Sequence, residues 1–154
     1  MLMCNSSQPK YKRILLKLSG EALSGNGGIL DFDFIASVAE VLKKCVGAGI
    51  EVAVIVGAGN IWRGRQGGKM DRVRADQMGM MGTLINSLAL QDAIIKAGGK
   101  CVVMSAVPMA QICEVYSQYK AIEHLENGKA VILACGTGYP FFTTDTGALL
   151  RAAE

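Results

Sequence analysis

The sequence predicts an α/β domain with three layers, α-β-α, around a mostly parallel central sheet. Three observations predict it. Short, almost wholly apolar runs alternate with longer segments of helical period, as strands buried on both faces alternate with crossover helices. Many of the 19 glycines sit at the ends of those runs. The 154 residues, 51% apolar and 19% charged, suffice for one domain with its own core and exclude a disordered chain.

Each element follows in order. Residues 1–10 read as a loose tail, and residues 11–154 as the domain. "RILLKL" gives a first strand, Arg13 to Leu18, followed by a loop through "GEALSGNGGILD". Asp31 or Asp33 caps the next helix, whose apolar positions are Phe34, Ile35, Val38, Val41, Leu42 and Cys45. "IEVAVIVGAGN" is a second strand with its glycine turn, and "KCVVMSA" a third. Between them a long helix runs from about Ala75 to Ala97. Residues 112–127 hold a short helix or two, "KAVILACGTG" is a fourth strand, and a last helix starts with Thr144 as N-cap. Four strands alternating with four helices place any ligand at the carboxyl ends of the strands.

Charge and cysteine usage narrow the function classes. A net charge of +3 is too mild to indicate a nucleic-acid partner. Arg63, Arg65, Lys69, Arg72 and Arg74 nevertheless crowd one glycine-rich segment, which suits either a solvated loop or a phosphate-binding surface. Five cysteines form no C-x-x-C pair and read as free thiols in a reducing, cytoplasmic compartment. His124 is the only histidine, so a histidine-based triad or zinc site lacks material. No apolar run approaches membrane-spanning length.

The strand ends carry the chemistry. Lys17 stands inside an apolar strand, facing away from Leu16 and Leu18, just before Ser19 and Gly20. It is either an edge lysine reaching water or the fixed positive charge of an anion site. "GAGNIWRG" fails the dinucleotide pattern at Trp62 and the P-loop pattern at Arg65-Gln66. What remains is a glycine turn baring amide donors beside Arg63. Asp76, read as lying in the first turn of its helix, complements the helix dipole or accepts from sugar hydroxyls. On that helix Met78, Met81, Ile85, Leu88 and Ile95 form one apolar stripe, either core or subunit contact, while Met80 and Leu84 face elsewhere. The last loop, "GTGYPFFTTD", offers backbone donors, hydroxyls and aromatic surface suited to a base with its sugar phosphate.

Five segments, "YKRILLKLSGEAL", "IVGAGNIWRG", "DQMGMMGTLINSLALQDA", "MSAVPM" and "ILACGTGYPFFTTDTGALLRAAE", closely resemble the bacterial UMP kinases of the amino acid kinase superfamily. The resemblance runs from Tyr11 to Glu154. It implies transfer of the ATP γ-phosphoryl group to UMP, giving UDP, with Mg²⁺ as cofactor. It further implies that Lys17, Leu18, Ser19, Gly20, Gly59 and Arg63 meet the ATP phosphates. Gly57, Ala58, Asp76, Thr137, Gly138, Tyr139, Pro140, Phe141, Phe142, Thr143 and Thr144 would hold UMP. Lys17, Arg63 and Asp145 would be the catalytic residues, and no residue is assigned to a metal. The family's members assemble as homohexamers; neither nucleic acid nor membrane is an expected partner.

Three departures accompany the resemblance. Gly57-Ala58-Gly59-Asn60 replaces the family's Gly-Gly-Gly-Asn, so a methyl would crowd UMP if Ala58 needed positive φ or close approach. Gln91 stands where many members have Arg. Relatives also continue past the position of Glu154, so the chain reads as the acceptor-side portion without the adenine-binding one. The competing readings are a UMP- or UTP-binding assembly module without catalysis, and another kinase of the superfamily.

Overall fold

A computed structural model describes residues 9–25, 28–63 and 67–154. Most of the expected N-terminal tail, together with Cys4 and Arg65, lies outside the described residues. Strand β1 (Arg13–Leu18) is followed by a short 3-10 turn (Gly20–Leu23), helix α1 (Phe32–Gly47), strand β2 (Glu51–Val56) and helix α2 (Arg72–Lys96). Strands β3 (Cys101–Ser105) and β4 (Glu114–Val115), helix α3 (Gln118–Glu126), strand β5 (Ala130–Ala134) and helix α4 (Thr144–Ala153) complete the described elements.

The five strands form one parallel sheet in the order β1-β2-β5-β3-β4. Pleat alternation divides its side chains between two cores. Val52, Val54 and Val56 of β2 point to one face, where Ile35, Ala39 and Leu42 of α1 and Leu84, Leu90 and Ile94 of α2 cover them. Ala53 and Ile55 point to the other, toward Ala121 and Leu125 of α3 and Ala148 of α4. All six residues of β2 and all five of β5 are buried, as strands covered on both faces must be. The three layers of the expected fold are therefore present.

Several boundaries differ from the sequence reading. A fifth strand exists because Glu114 and Val115 extend the sheet beyond β3, although both are exposed and make no apolar run. Asp31 is the α1 cap, accepting from the Phe34 amide at 3.0 Å. Phe34 and Val41, expected on the buried stripe of α1, are exposed. Helix α2 starts earlier than expected because the Asp71 carboxylate caps it through the Arg74 amide at 3.1 Å. Asp76 consequently sits beyond the first turn, and the dipole argument for it lapses. Helix α4 is capped by Thr143, not Thr144: extended Thr143 accepts from the Thr146 amide at 3.1 Å.

Helix α2 departs furthest from the expected pattern. Its buried positions include Gly82, Thr83, Leu84, Asn86, Ser87, Leu90 and Ile94, several of them small or polar. Met78, Met81, Ile85 and Ile95, of the stripe read as core or subunit contact, lie exposed. Of that stripe only Leu88 packs against the core, partly buried; the other four residues are not core.

Candidate active site

Two turns at the carboxyl ends of β2 and β5 face each other across α2, and α2 holds both. The Asn86 side chain, fully buried, donates to the Gly57 carbonyl at 2.7 Å and pairs reciprocally with the Asn60 amide at 2.7 and 3.0 Å. One helical turn away, the Thr83 hydroxyl accepts from the Cys135 amide at 2.8 Å. Two polar residues on a buried helix face thereby satisfy backbone groups that the turns would otherwise strand. Gly82 lets the helix approach, since a Cβ there would come within 2.9 Å of the Ala58 Cβ.

Between these turns lies an open cleft of about 610 Å³. Its lining includes Lys17, Ser19, Gly20, Gly57, Ala58, Gly59 and Arg63 on one side, and Asp76, Thr137, Tyr139, Phe142, Thr143, Thr144 and Asp145 on the other. Leu18, Gly138, Pro140 and Phe141 stand outside that lining. Leu18 instead accepts the Gly57 amide at 2.9 Å, tying the ends of β1 and β2 together. Gly138 has φ +81, and a Cβ there would press on the Ala106 carbonyl at 3.1 Å.

The phosphate-side geometry starts from close packing. A Cβ on Gly20 would lie 2.7 Å from the Gly59 nitrogen, so only glycine lets the end of β1 touch the β2 turn. Lys17 shares its face of β1 with Leu15 and points toward α4, where its ammonium lies 3.1 Å from the Asp145 carboxylate. Asp145 is in the first turn of α4, where the helix dipole favours a negative charge. Arg63 lies over the glycine turn, its Nε donating to the Gly59 carbonyl at 3.4 Å, and it also pairs with the Glu21 carboxylate. Ala58 is absent from the non-glycine residues with positive φ, and its methyl faces Gly82 of α2. The condition under which that methyl would demand glycine-like backbone is not met.

On the opposite side Thr137 closes a tight turn, its hydroxyl receiving the Tyr139 amide at 3.2 Å. Phe141 adopts φ +68, and its amide donates to Asp76 at 2.8 Å. Cys135, at φ +64, is buried at the cleft floor, and burial pushes its thiol above the ordinary range. Tyr139, Phe141 and Phe142 remain exposed.

Sequence reasoning missed Glu21, Trp62, Ala75, Gly79, Met80, Thr83 and Cys135, all of which line the cleft. The Trp62 indole is anchored by donating to the Ala75 carbonyl at 2.8 Å. Among the described residues, no group of three or more His, Cys, Asp or Glu side chains is placed to hold a metal ion by itself.

The amino acid kinase family model matches residues 12–154. The chain belongs to the amino acid kinase family. Its fold is similar to that of UMP kinase from Ureaplasma parvum, with TM-score 0.88 and 38% identity over 94% of this chain and 65% of that one. UMP kinase from Bacillus anthracis gives TM-score 0.87 and 39% identity over 93% of this chain and 60% of that one. Aspartate kinase from Synechocystis, at TM-score 0.64 and 18% identity over 92% of this chain and 26% of that one, shares the fold. This family member thus spans about 65% and 60% of the two UMP kinases it resembles. Among its described residues, no helix is long and apolar enough to cross a membrane.

Proposed function

We propose that this chain is the acceptor-side portion of a nucleoside monophosphate kinase that transfers the ATP γ-phosphoryl group to UMP, giving UDP for pyrimidine nucleotide biosynthesis. The observation that carries the proposal is the cleft itself. It presents Lys17, Arg63 and two glycine-lined strand ends opposite a hydroxyl-rich aromatic loop, in a chain 38–39% identical to two UMP kinases.

Phosphoryl transfer asks mainly for positioning and positive charge, because the transferring group is loosely bonded to both oxygens in the transition state. Lys17 and Arg63 would supply that charge, with amides of Ser19, Gly20 and Gly59 as further donors. Asp145, 3.1 Å from Lys17, would aim the ammonium at the transferring group. Asp76 and the run Thr137 to Thr144 would hold the sugar and base of UMP. Mg²⁺ would neutralise the ATP phosphates. A magnesium ion bound mostly through phosphate and water needs few protein ligands, which fits a phosphate side whose carboxylate beside Lys17 is Asp145.

Self-association would bury the exposed α2 stripe of Met78, Met81, Ile85 and Ile95, and a homohexamer is the assembly we propose. With these proposed substrates the activity would be cytoplasmic.

A coupled assay with ATP, Mg²⁺ and UMP tests the reading. UDP formation that depends on UMP supports it, and equal or greater turnover with another acceptor overturns it. A second reading, a UMP- or UTP-binding assembly module without transfer, is favoured by the exposed apolar residues of α2. Calorimetric binding of UMP without turnover would select it.

A further inference from the structure

Arg72 occupies the first helical position of α2, where the dipole disfavours a cation, so helix stability does not explain it. Its Nε lies 3.0 Å from both carboxylate oxygens of Asp76. An exposed pair at this spacing ordinarily contributes little. Here the Asp76 side chain is only 14% exposed, and its Oδ2 also receives the Phe141 amide at 2.8 Å. The Arg72 guanidinium carbon stands 6.0 Å from the centre of the Phe141 ring. Phe141 meanwhile holds φ +68, a conformation a bulky residue keeps only when its surroundings enforce it.

We infer that Arg72 is a positioning residue of the acceptor side: it fixes Asp76, and Asp76 fixes Phe141 in its left-handed conformation. The loop from Thr137 to Thr143 is thereby folded onto α2 in advance of binding. This inference rests on the proposed function for its ligand, a pyrimidine nucleoside monophosphate, but the clamp itself does not. A carboxylate offers about four lone-pair sites. The one Arg72 Nε–H is shared between both oxygens and the Phe141 amide takes Oδ2, so Oδ1 keeps an acceptor site for a ligand hydroxyl without releasing the loop. Arg72 itself lines the cleft, and its effect is on the shape of the loop.

Hydrogen exchange resolved to peptides covering Phe141, combined with UMP calorimetry, tests it on the wild-type chain, Arg72→Ala and Arg72→Lys. Arg72→Ala is expected to speed exchange of the Phe141 amide about tenfold and to weaken UMP binding about tenfold, the protection of the middle of α2 staying unchanged. Arg72→Lys keeps the charge but not the planar guanidinium whose Nε–H is shared across both oxygens, and should recover part of each effect. Unchanged Phe141 exchange in Arg72→Ala overturns the inference. If the wild-type chain takes up no UMP, the functional reading fails, and the exchange measurement alone decides the clamp.

Discussion

The Thr83 hydroxyl accepts the Cys135 amide hydrogen at 2.8 Å, joining the middle of α2 to the end of β5 across 52 residues. The same hydroxyl donates back to the Met80 carbonyl at 2.6 Å, so its proton and a lone pair are both committed. Thr83→Val keeps the shape and removes the acceptor. The buried Cys135 amide would then be unsatisfied, and we expect a loss of about 1–3 kcal/mol in urea unfolding. Unaltered stability would mean that water or a shifted turn replaces the contact.

The Lys17–Asp145 pair is partly open to water, with Asp145 71% exposed, so its worth to folding is small. Its worth to chemistry should be large. Lys17→Met is expected to lower UMP-dependent turnover about 100-fold or more while leaving the melting temperature nearly unchanged. A comparable loss of stability would instead mark Lys17 as structural.

Glu21 pairs with Arg63 over the glycine turn, and a Cβ on Gly59 would lie 3.1 Å from the Glu21 Cγ. A carboxylate therefore rests where phosphate is proposed to bind. Glu21→Gln keeps the shape and removes the competing charge, so ATP–Mg²⁺ affinity should rise about threefold. A fall in affinity would show that Glu21 helps the ligand.

Glu51, 8% exposed, begins β2 and accepts from Arg13 at 2.5 Å, with Lys12 at 3.3 Å. Burial alone would raise its pKa, but the hydrogen bonds and charges of Arg13 and Lys12 outweigh that and hold it below the ordinary 4.5. The lowered value sets the sign. The stabilising contribution is complete above pH 4.5 and is lost as pH falls through the folded-state value. Melting curves recorded from neutral pH down to about pH 3 should show Glu51→Gln losing less stability on acidification than the wild type.

Thiol chemistry gives an independent check on the core. Burial pushes Cys101 up to about 11 and raises Cys135 as well. Since the thiolate is the nucleophile, half-buried Cys101 should react slowly with a disulfide reagent at neutral pH, and buried Cys135 only as fast as the protein opens. Rapid labelling of Cys135 in the folded protein would contradict the packed cleft floor.

The sheet and the turns at its strand ends were legible because buried parallel strands are continuous apolar runs and their ends are marked by glycine. Lys17 could be picked out because a cation is conspicuous inside "RILLKL". Thr83 and Asn86 could not, because polar residues on a helix read as its solvent face. Their inward turn follows only from where the glycine turns fall in space. Met78, Met81 and Ile85, read as either core or subunit contact, are apolar yet exposed, which removes the first of those two readings. Strand β4 left no signal, since two exposed residues carry no period. The left-handed conformations of Cys135 and Phe141 were equally silent, because neither side chain favours positive φ.

Strand β5 is the last of the five in chain order, yet it lies at the centre of the sheet, between β2 and β3. Until it is in place, β1–β2 and β3–β4 are separate pairs with no hydrogen bonds joining them. A ribosome must therefore release the chain beyond Ala134 before the sheet can become continuous, and the two exposed ribbons must wait without aggregating. The late, central strand makes assembly of this domain a single closing step rather than a stepwise growth from its N-terminus.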